Sequence, residues 1–454
     1  RKIAVAPDAH GKLRLFLNNE PLFQFGPLDQ GWWPDGLYTA PTDAALRYDI
    51  EVTRDLGFNM LRKHVKVEPA RFYYHCDQLG VLVWQDMPSA VTASREGDHL
   101  WVGGNDTDDK VRPAESAQQF EAELKEVVQD FGFFPSIVMW VPFNEGWGQY
   151  DTERIAAWVK ELDPTRLVNS ASGWLDLGVG DVRDVHAYPG PAMEDAGPGR
   201  APVLGEFGGL GLPVKGHLWQ EEGNWGYRNF DDFEGLGARY AALIADLEGL
   251  LGHGLAAAVY TQTSDVEIEV NGFLTYDREV LKFDAITLQK LHAPLYAAPP
   301  QAKTLLPTSQ LAPQSWRWTT DAPGRAWAGA QFDDAGWQSG AGPFQSGDNP
   351  AVPTGTKWDG ETIWLRQRFT VDEVPTKLWL VLYHDVTSVR VYLNGEEVQA
   401  LDEPRPSRRH YQHISLGDGV KHLKPGENVI AVQATKKEGS RAVDAGLYTL
   451  IAGE

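Results

Sequence analysis

SIVMWVPFNEGWGQY, residues 136–150, decides the fold. An apolar run from Ile137 to Val141 leads into Asn144 and Glu145, which stand among glycines and aromatics. The run reads as a buried strand, and a carboxylate at its mouth loses hydration that partners must replace. Strand ends inside a barrel are also where chemistry is usually placed. The competing reading is a tight acidic turn, and the flanking sequence decides between them.

Outward from this stretch, short apolar runs alternate with helical patterns from about residue 20 to 295. LFQFGPL precedes TDAALRYDIEVTRDLG, where Thr42 is placed to cap a helix. GFNMLRKH precedes EPARFYYHCDQLG, with Pro69 near the helix start. AESAQQFEAELKEVVQDFG is an amphipathic helix ended by Gly132. RLVNSASG, DVRDVHAYPG, APVLGEFGG and GHGLAAAVYTQT supply further strands, making eight from FQFGPL to AAAVYTQT. Eight β/α steps predict an α/β fold, a (β/α)8 TIM barrel over residues 13–295. A doubly wound sheet would want a GxGxxG phosphate loop after its first strand, and FGPLDQGWW has none. Helical pattern fades at the fifth and sixth units.

The flanks read differently. Residues 1–12 look like the junction left by an upstream β domain, with any leader lying outside this chain. Residues 296–315, rich in proline, read as a linker. Residues 316–454 alternate as an all-β sandwich or jelly roll, with Asn394-Gly395 as a hairpin turn.

With 454 residues the chain exceeds one ordinary core. Its 41 basic against 63 acidic residues give a formal charge of −22, which argues against a nucleic-acid partner. No apolar run is long enough to span a bilayer, so no membrane partner is expected. The single cysteine, Cys76, excludes an intrachain disulfide and reads as a buried thiol. The compartment is left open, with a soluble, exported protein as one expectation. No HExxH motif suggests zinc, and the DTDDK run at 106–110 lacks calcium-ligand spacing.

The predicted strand ends are polar and aromatic. They present Asp29, Trp32 and Trp33; Arg62, Lys63 and His64; Gln85 and Asp86; Asn144 and Glu145; Ser172 and Trp174; His186 and Tyr188; Glu206; and Thr261, Gln262 and Asp265. Glu145 and Glu206 each directly follow an apolar strand, the fourth and the seventh, which face each other across a narrow mouth. Two carboxyl groups about 5–5.5 Å apart divide nucleophilic and acid/base work at a sugar acetal, whereas about 6.5–9.5 Å admits a water and gives inversion. The alternative is a pair of rim ion-pair partners. Arg62 is placed to pair with a carboxylate, Tyr188 to donate to the same group, and Asn144 to reach a substrate hydroxyl. His64 and His186 read as substrate contacts, and Trp32, Trp33, Trp147, Trp174 and Tyr260 as stacking surfaces. Like charges at short range predict a Glu145 pKa above the usual glutamate value.

These stretches resemble glycoside hydrolase family 2, which contains β-galactosidases, β-glucuronidases and β-mannosidases. The resemblance rests on LFLNNEPLFQFG, TDAALRYDIEVTRDLGFNMLRKH, RFYYHCDQLGVLVWQDMP, MWVPFNEGWGQ, LGEFGG and YTQTSDVEIEVNGFLTYDR, in that order over roughly residues 13–290. It implies Glu145 as proton donor and general base, with Asn144 on the sugar's 2-hydroxyl. It implies Glu206 as nucleophile, steadied by Arg62 and Tyr188, and Tyr260 where the family often has a strand-eight tryptophan. Residues 316–454 resemble the family's galactose-binding-like jelly roll, which usually stands at the amino end. R-K-H-V replaces the usual R-x-S-H at residues 62–65, and Gly223-Asn224-Trp225 offers no lysine to hold a uronate.

The expected activity is a retaining exo-β-glycosidase acting on a terminal neutral sugar, β-galactoside first, without metal or cofactor. Its partner is an oligo- or polysaccharide or small glycoside, and the oligomeric state is not legible. β-Glucuronidase or β-mannosidase specificity is one alternative, and a carbohydrate-binding or inactive truncated fragment another. An isomerase or aldolase barrel would want a Schiff-base lysine, for which only Lys63 stands at a strand end.

Overall fold

The computed structural model describes residues 1–88, 108–347, 349, 352–402, 410–436 and 441–453. Residues 106 and 107 of the DTDDK run lie outside them. The chain divides into two compact units, residues 1–244 with 253–299, and residues 245–252 with 300–453.

The first unit is the expected barrel. Its eight parallel strands are Gln24–Asp29, Met60–Lys63, Leu82–Asp86, Ile137–Val141, Leu167–Val168, Val182–Ala187, Ala201–Gly208 and Ala257–Thr261. Their order in the sheet is fifth, fourth, third, second, first, eighth, seventh, sixth, so the first strand pairs with the last. The ladder is open between the fifth and sixth strands. There Asp181 bridges the gap: its amide donates to the Val168 carbonyl at 2.8 Å, and its carboxylate accepts from the Val168 amide at 2.7 Å.

Local chemistry sets the helices. Thr42 Oγ1 accepts from the Ala45 amide at 3.0 Å and caps the helix Asp43–Asp55. Gly80, at φ +78°, ends the helix Ala70–Leu79 in the left-handed conformation that a side chain would resist. Further helices span Ala114–Phe131, Thr152–Leu162, Phe233–His253 and Ala285–His292. The fifth and sixth strands are followed by loops, as the fading pattern suggests. Apolar side chains of the first four helices pack outside the strands, burying Ile50, Phe72, Cys76, Leu124 and Ile155. No helix is long and apolar enough to cross a membrane among the described residues.

Residues 1–12 begin a hairpin. Ile3–Pro7 pairs antiparallel with Leu13–Leu17, and the hairpin puts Ile3, Val5, Leu13, Leu15 and Leu17 against Met60, Leu82, Val138 and Ala257. These are residues of the barrel interior, so the hairpin closes its floor. The two strands alternate apolar side chains toward that interior, which makes them part of this core.

The second unit is a two-sheet sandwich. One sheet contains Phe344–Ser346, Arg441–Ile451, Trp379–His384 and Gln412–Ser415; the other contains Ser315–Thr319, Thr362–Val371, Gly426–Thr435, Ser388–Leu393 and Glu396–Leu401. Trp316, Trp358, Leu365, Leu380, Ile430 and Leu447 fill the space between them. Asn394 and Gly395, both at positive φ, form the hairpin turn. The linker expected at 296–315 is corrected: Gln301–Leu306 is a strand paired with Arg441–Ile451. Pairing supplies the backbone partners that its proline-flanked sequence does not advertise.

Candidate active site

The two carboxylates and the side chains bonded to them stand at or near the carboxyl ends of barrel strands. The fourth strand ends at Val141, and the turn after it places Glu145 at φ +52°. The Glu145 amide donates to the Ser172 carbonyl at 2.8 Å, tying the turn to the segment after the fifth strand. Glu206 lies within the seventh strand. The pairing register shifts around Gly205, a bulge that turns the next side chain toward the mouth.

Arg62 organises the floor of the mouth and is wholly buried. Its guanidinium forks onto Asp86, with Nε to Oδ1 at 3.1 Å and Nη2 to Oδ2 at 2.9 Å. Nη2 also donates to Asn144 Oδ1 at 2.8 Å, and Nη1 to Glu206 Oε1 at 3.2 Å. Burial opposes its charge, but Asp86 and Glu206 outweigh burial and push the pKa up. Asp86 moves down: burial raises it, and Arg62 and His64 together more than reverse that. Asp86 is therefore an anchor under the site, also accepting from the Val65 amide at 3.2 Å, with His64 Nδ1 3.1 Å away. Asn144 is oriented by Arg62, which leaves its amide nitrogen as the remaining donor.

Glu206 has a second donor, the Tyr188 hydroxyl, at 2.7 Å from Oε2. Tyr188 also lies 2.6 Å from Thr261 Oγ1, and its ring stacks on Tyr227 at 3.6 Å between centroids. Glu145 Oε1 lies 2.8 Å from His186 Nδ1, which is 3.3 Å from Glu206 Oε2. One ligand atom from each of Glu145, His186 and Glu206 falls within 4.8 Å of the other two. That spacing alone would admit a cation. The donor set argues for hydrogen bonding instead, because Arg62 and Tyr188 already engage Glu206 and His186 Nδ1 is directed at Glu145.

The expected upward pKa shift of Glu145 is reversed. Burial raises it, but the His186 hydrogen bond and the nearby charges of His186, His64 and Arg62 bring it below the usual value. Like-charge repulsion from Glu206 was the expected influence; a histidine between the two carboxylates replaces repulsion with attraction.

Tyr260 is corrected more fully. It is wholly buried among Phe207, Tyr240 and Phe273, on the outward side of the eighth strand. The alternation of a strand sends the adjacent Thr261 toward Tyr188 and removes Tyr260 from the mouth. Trp33 is likewise buried, under the Arg278 guanidinium. Lys63 is bonded to Asp29 at 3.0 Å and Glu68 at 2.6 Å, which is not the setting of a Schiff-base amine. Trp32 leans edge-on to Tyr38, Trp147 is half-buried on the Glu145 turn, and Trp174 is exposed.

Residues not singled out from the sequence complete the mouth. Tyr227 is half exposed, and after burial its phenol is raised by the charges of Glu206 and Glu145. Trp225 meets Tyr227 edge-on at 5.4 Å. Glu269 accepts from Asn271 at 2.8 Å, and its carboxyl is raised by burial and by Glu206. Asp184 sits two residues before His186 on the same face of the sixth strand; that i, i+2 placement was the available signal. Tyr227 and Glu269 lie in irregular segments without periodicity.

The site is thus an eight-stranded barrel mouth with two carboxylates opposed across it, one of them held by arginine and tyrosine. Residues 39–187 match the profile of the glycosyl hydrolases family 2, TIM barrel domain. The matched stretch runs from just before the first helix to the end of the sixth strand of the barrel. A curated putative β-glucuronidase of Formosa agariphila is 28% identical over 153 residues, 33% of this chain and 12% of that one. Among solved structures, an FMN-binding β-glucuronidase from Facaelibacterium prausnitzii L2-6 aligns with TM-score 0.48 and 16% identity, over 98% of this chain and 58% of that one. A family 2 β-galacturonidase from Eisenbergiella tayi, bound to galacturonate, aligns with TM-score 0.48 and 18% identity, over 64% and 54%. The chain thus spans less than two thirds of the length of these relatives.

Proposed function

We propose that the protein is a retaining glycoside hydrolase that releases a terminal β-linked sugar by double displacement. Glu206 attacks the anomeric carbon, and Glu145 first protonates the leaving oxygen and then takes a proton from water. The observation that carries this is the approach of Glu145 and Glu206, with oxygens within 4.8 Å. Such closeness suits the short separation, about 5–5.5 Å, of nucleophile and acid rather than the wider gap that seats a water. Arg62 and Tyr188 on the oxygens of Glu206 are the donors that steady an attacking carboxylate. The exposed rings of Trp174, Trp225 and Tyr227 suit the apolar faces of sugar rings.

For the sugar, two readings stand. A neutral sugar, β-galactoside among them, is favoured by the strand-end cations: Arg62, Lys63, Lys66 and Lys282 are each paired with a protein carboxylate. A uronate carboxylate would require a cation of its own. A β-glucuronide is suggested by the names of the relatives. Trapping with 2-fluoro glycosides, followed by digestion and mass spectrometry, tests the mechanism: the label belongs on LGEFGG at Glu206. A label elsewhere, or turnover of an aryl glycoside without trapping, refutes the assignment. A panel of 4-nitrophenyl β-galactoside, β-glucoside, β-mannoside, β-xyloside and β-glucuronide decides the sugar.

A further inference from the structure

The His186 side chain is almost fully buried, and its Nδ1 lies near both carboxylates. We propose that His186 is a positioning residue that shares the acid proton with Glu145, so that the general acid of this site is the Glu145–His186 pair. The proposal rests on the glycosidase reading above.

The hydrogen bonds around Ser172 identify the nitrogen involved. Asp184 Oδ2 accepts from Asn169 Nδ2 and from Ser172 Oγ, each at 2.6 Å, and Oδ1 accepts from the Gly205 amide at 2.6 Å. Surrounded by donors, Asp184 takes the single Ser172 hydroxyl hydrogen. Ser172 Oγ then offers only lone pairs to His186 Nε2, 2.8 Å away, and Nε2 must carry a hydrogen. That leaves Nδ1 to face Glu145 Oε1 at 2.8 Å with one proton between them. On nitrogen, the proton makes an imidazolium beside a carboxylate; on oxygen, a neutral acid beside a neutral ring.

The surroundings of the ring support a tightly held proton. Glu206 approaches from the seventh strand, and Asp184 stands behind Ser172 on the ring's own strand. From the second strand, Arg62 sits beyond Glu206, and the charge of His64 reaches Glu145. Burial lowers the His186 pKa, but Glu206, Glu145 and Asp184 more than compensate and leave it raised.

As the glycosidic C–O bond breaks, its electron pair leaves on the oxygen and Glu206 bonds to the anomeric carbon. The pair delivers its one proton through Glu145 to that oxygen. A carboxylate then faces a bare Nδ1, and this opposition of lone pairs makes the pair a strong base. In the second half, water attacks the anomeric carbon, Glu206 departs, and the water's proton returns to the pair.

The test is the pH dependence of kcat/KM in wild type and His186→Gln, in which glutamine keeps polar contacts without titrating. The basic limb is expected to move to lower pH by about one unit or more, because the limb belongs to the pair and not to glutamate alone. At neutral pH, substrates with poor leaving groups should lose about 10–100-fold more than activated ones. An unmoved basic limb overturns the proposal. If the variant does not fold, nitrogen-15 NMR of the wild-type histidines decides. Nε2 should remain protonated while Nδ1 titrates with the Glu145–His186 pair; a bare Nε2, or an Nδ1 that never gains a proton, refutes it. Wild type inert on every glycoside would refute the glycosidase reading, and the NMR titration would still judge the shared proton.

Discussion

At the scale of single residues, Glu145 shows how backbone and chemistry are joined. Its positive φ is uncommon for a residue with a side chain, and such conformations persist where surrounding bonds over-determine them. Here the bond to Ser172 and the contact with His186 do so. In Glu145→Ala, glycosides whose leaving group needs a proton should slow in the glycosylation step by about 10²–10⁴-fold. Activated aryl glycosides should slow much less. Equal losses along a leaving-group series would show that Glu145 is not the acid. The sequence made Glu145, Glu206, Arg62 and Tyr188 legible because each follows or ends an apolar strand. It did not make legible that Ser172 connects to Asp184 and His186, because those contacts join the sixth strand to a separate segment after the fifth. Tyr260 misled for a simpler reason: one position along a strand exchanges mouth for core.

At the scale of elements, the seventh strand depends on a missing side chain. A Cβ on Gly205 would lie 2.2 Å from the Asp184 carboxylate, while the Gly205 amide donates to Asp184 and its carbonyl accepts from Arg62. Gly205→Ala should therefore displace Asp184, loosen Ser172 and His186, and misdirect Glu206. We expect a lower melting temperature, and in the folded fraction a fall in kcat for activated substrates larger than any rise in KM. A variant with wild-type melting and kcat would show that the bulge tolerates the methyl group. The strands and helices were readable because apolar period and caps are local properties. The strand at Gln301–Leu306 was not, since its partner, Arg441–Ile451, is remote in sequence and its own pattern is masked by prolines on both sides.

At the scale of the whole molecule, acid is the expected weakness. His292 is fully buried against Phe25 and Phe58, with Tyr240 hydroxyl 2.7 Å from Nε2, and burial pushes its pKa down to about 4. A histidine depressed in the folded state contributes its full stability above its unfolded pKa of about 6.5 and loses it as pH falls through the folded value. The stake is about 3 kcal/mol, taking roughly 1.4 kcal/mol per unit. Urea midpoints should fall between about pH 6.5 and 4, and His292→Gln should flatten that slope; an unchanged slope would exclude the residue as its source. The pairing of the first barrel strand with the eighth carries a different consequence, one of timing. Phe25 waits for Ala258 before its ladder exists, and at about 5–20 residues per second a ribosome takes on the order of ten seconds or more to deliver it. For that interval the nascent barrel has an unsealed edge, so its synthesis should depend more on chaperone protection than its finished stability would suggest.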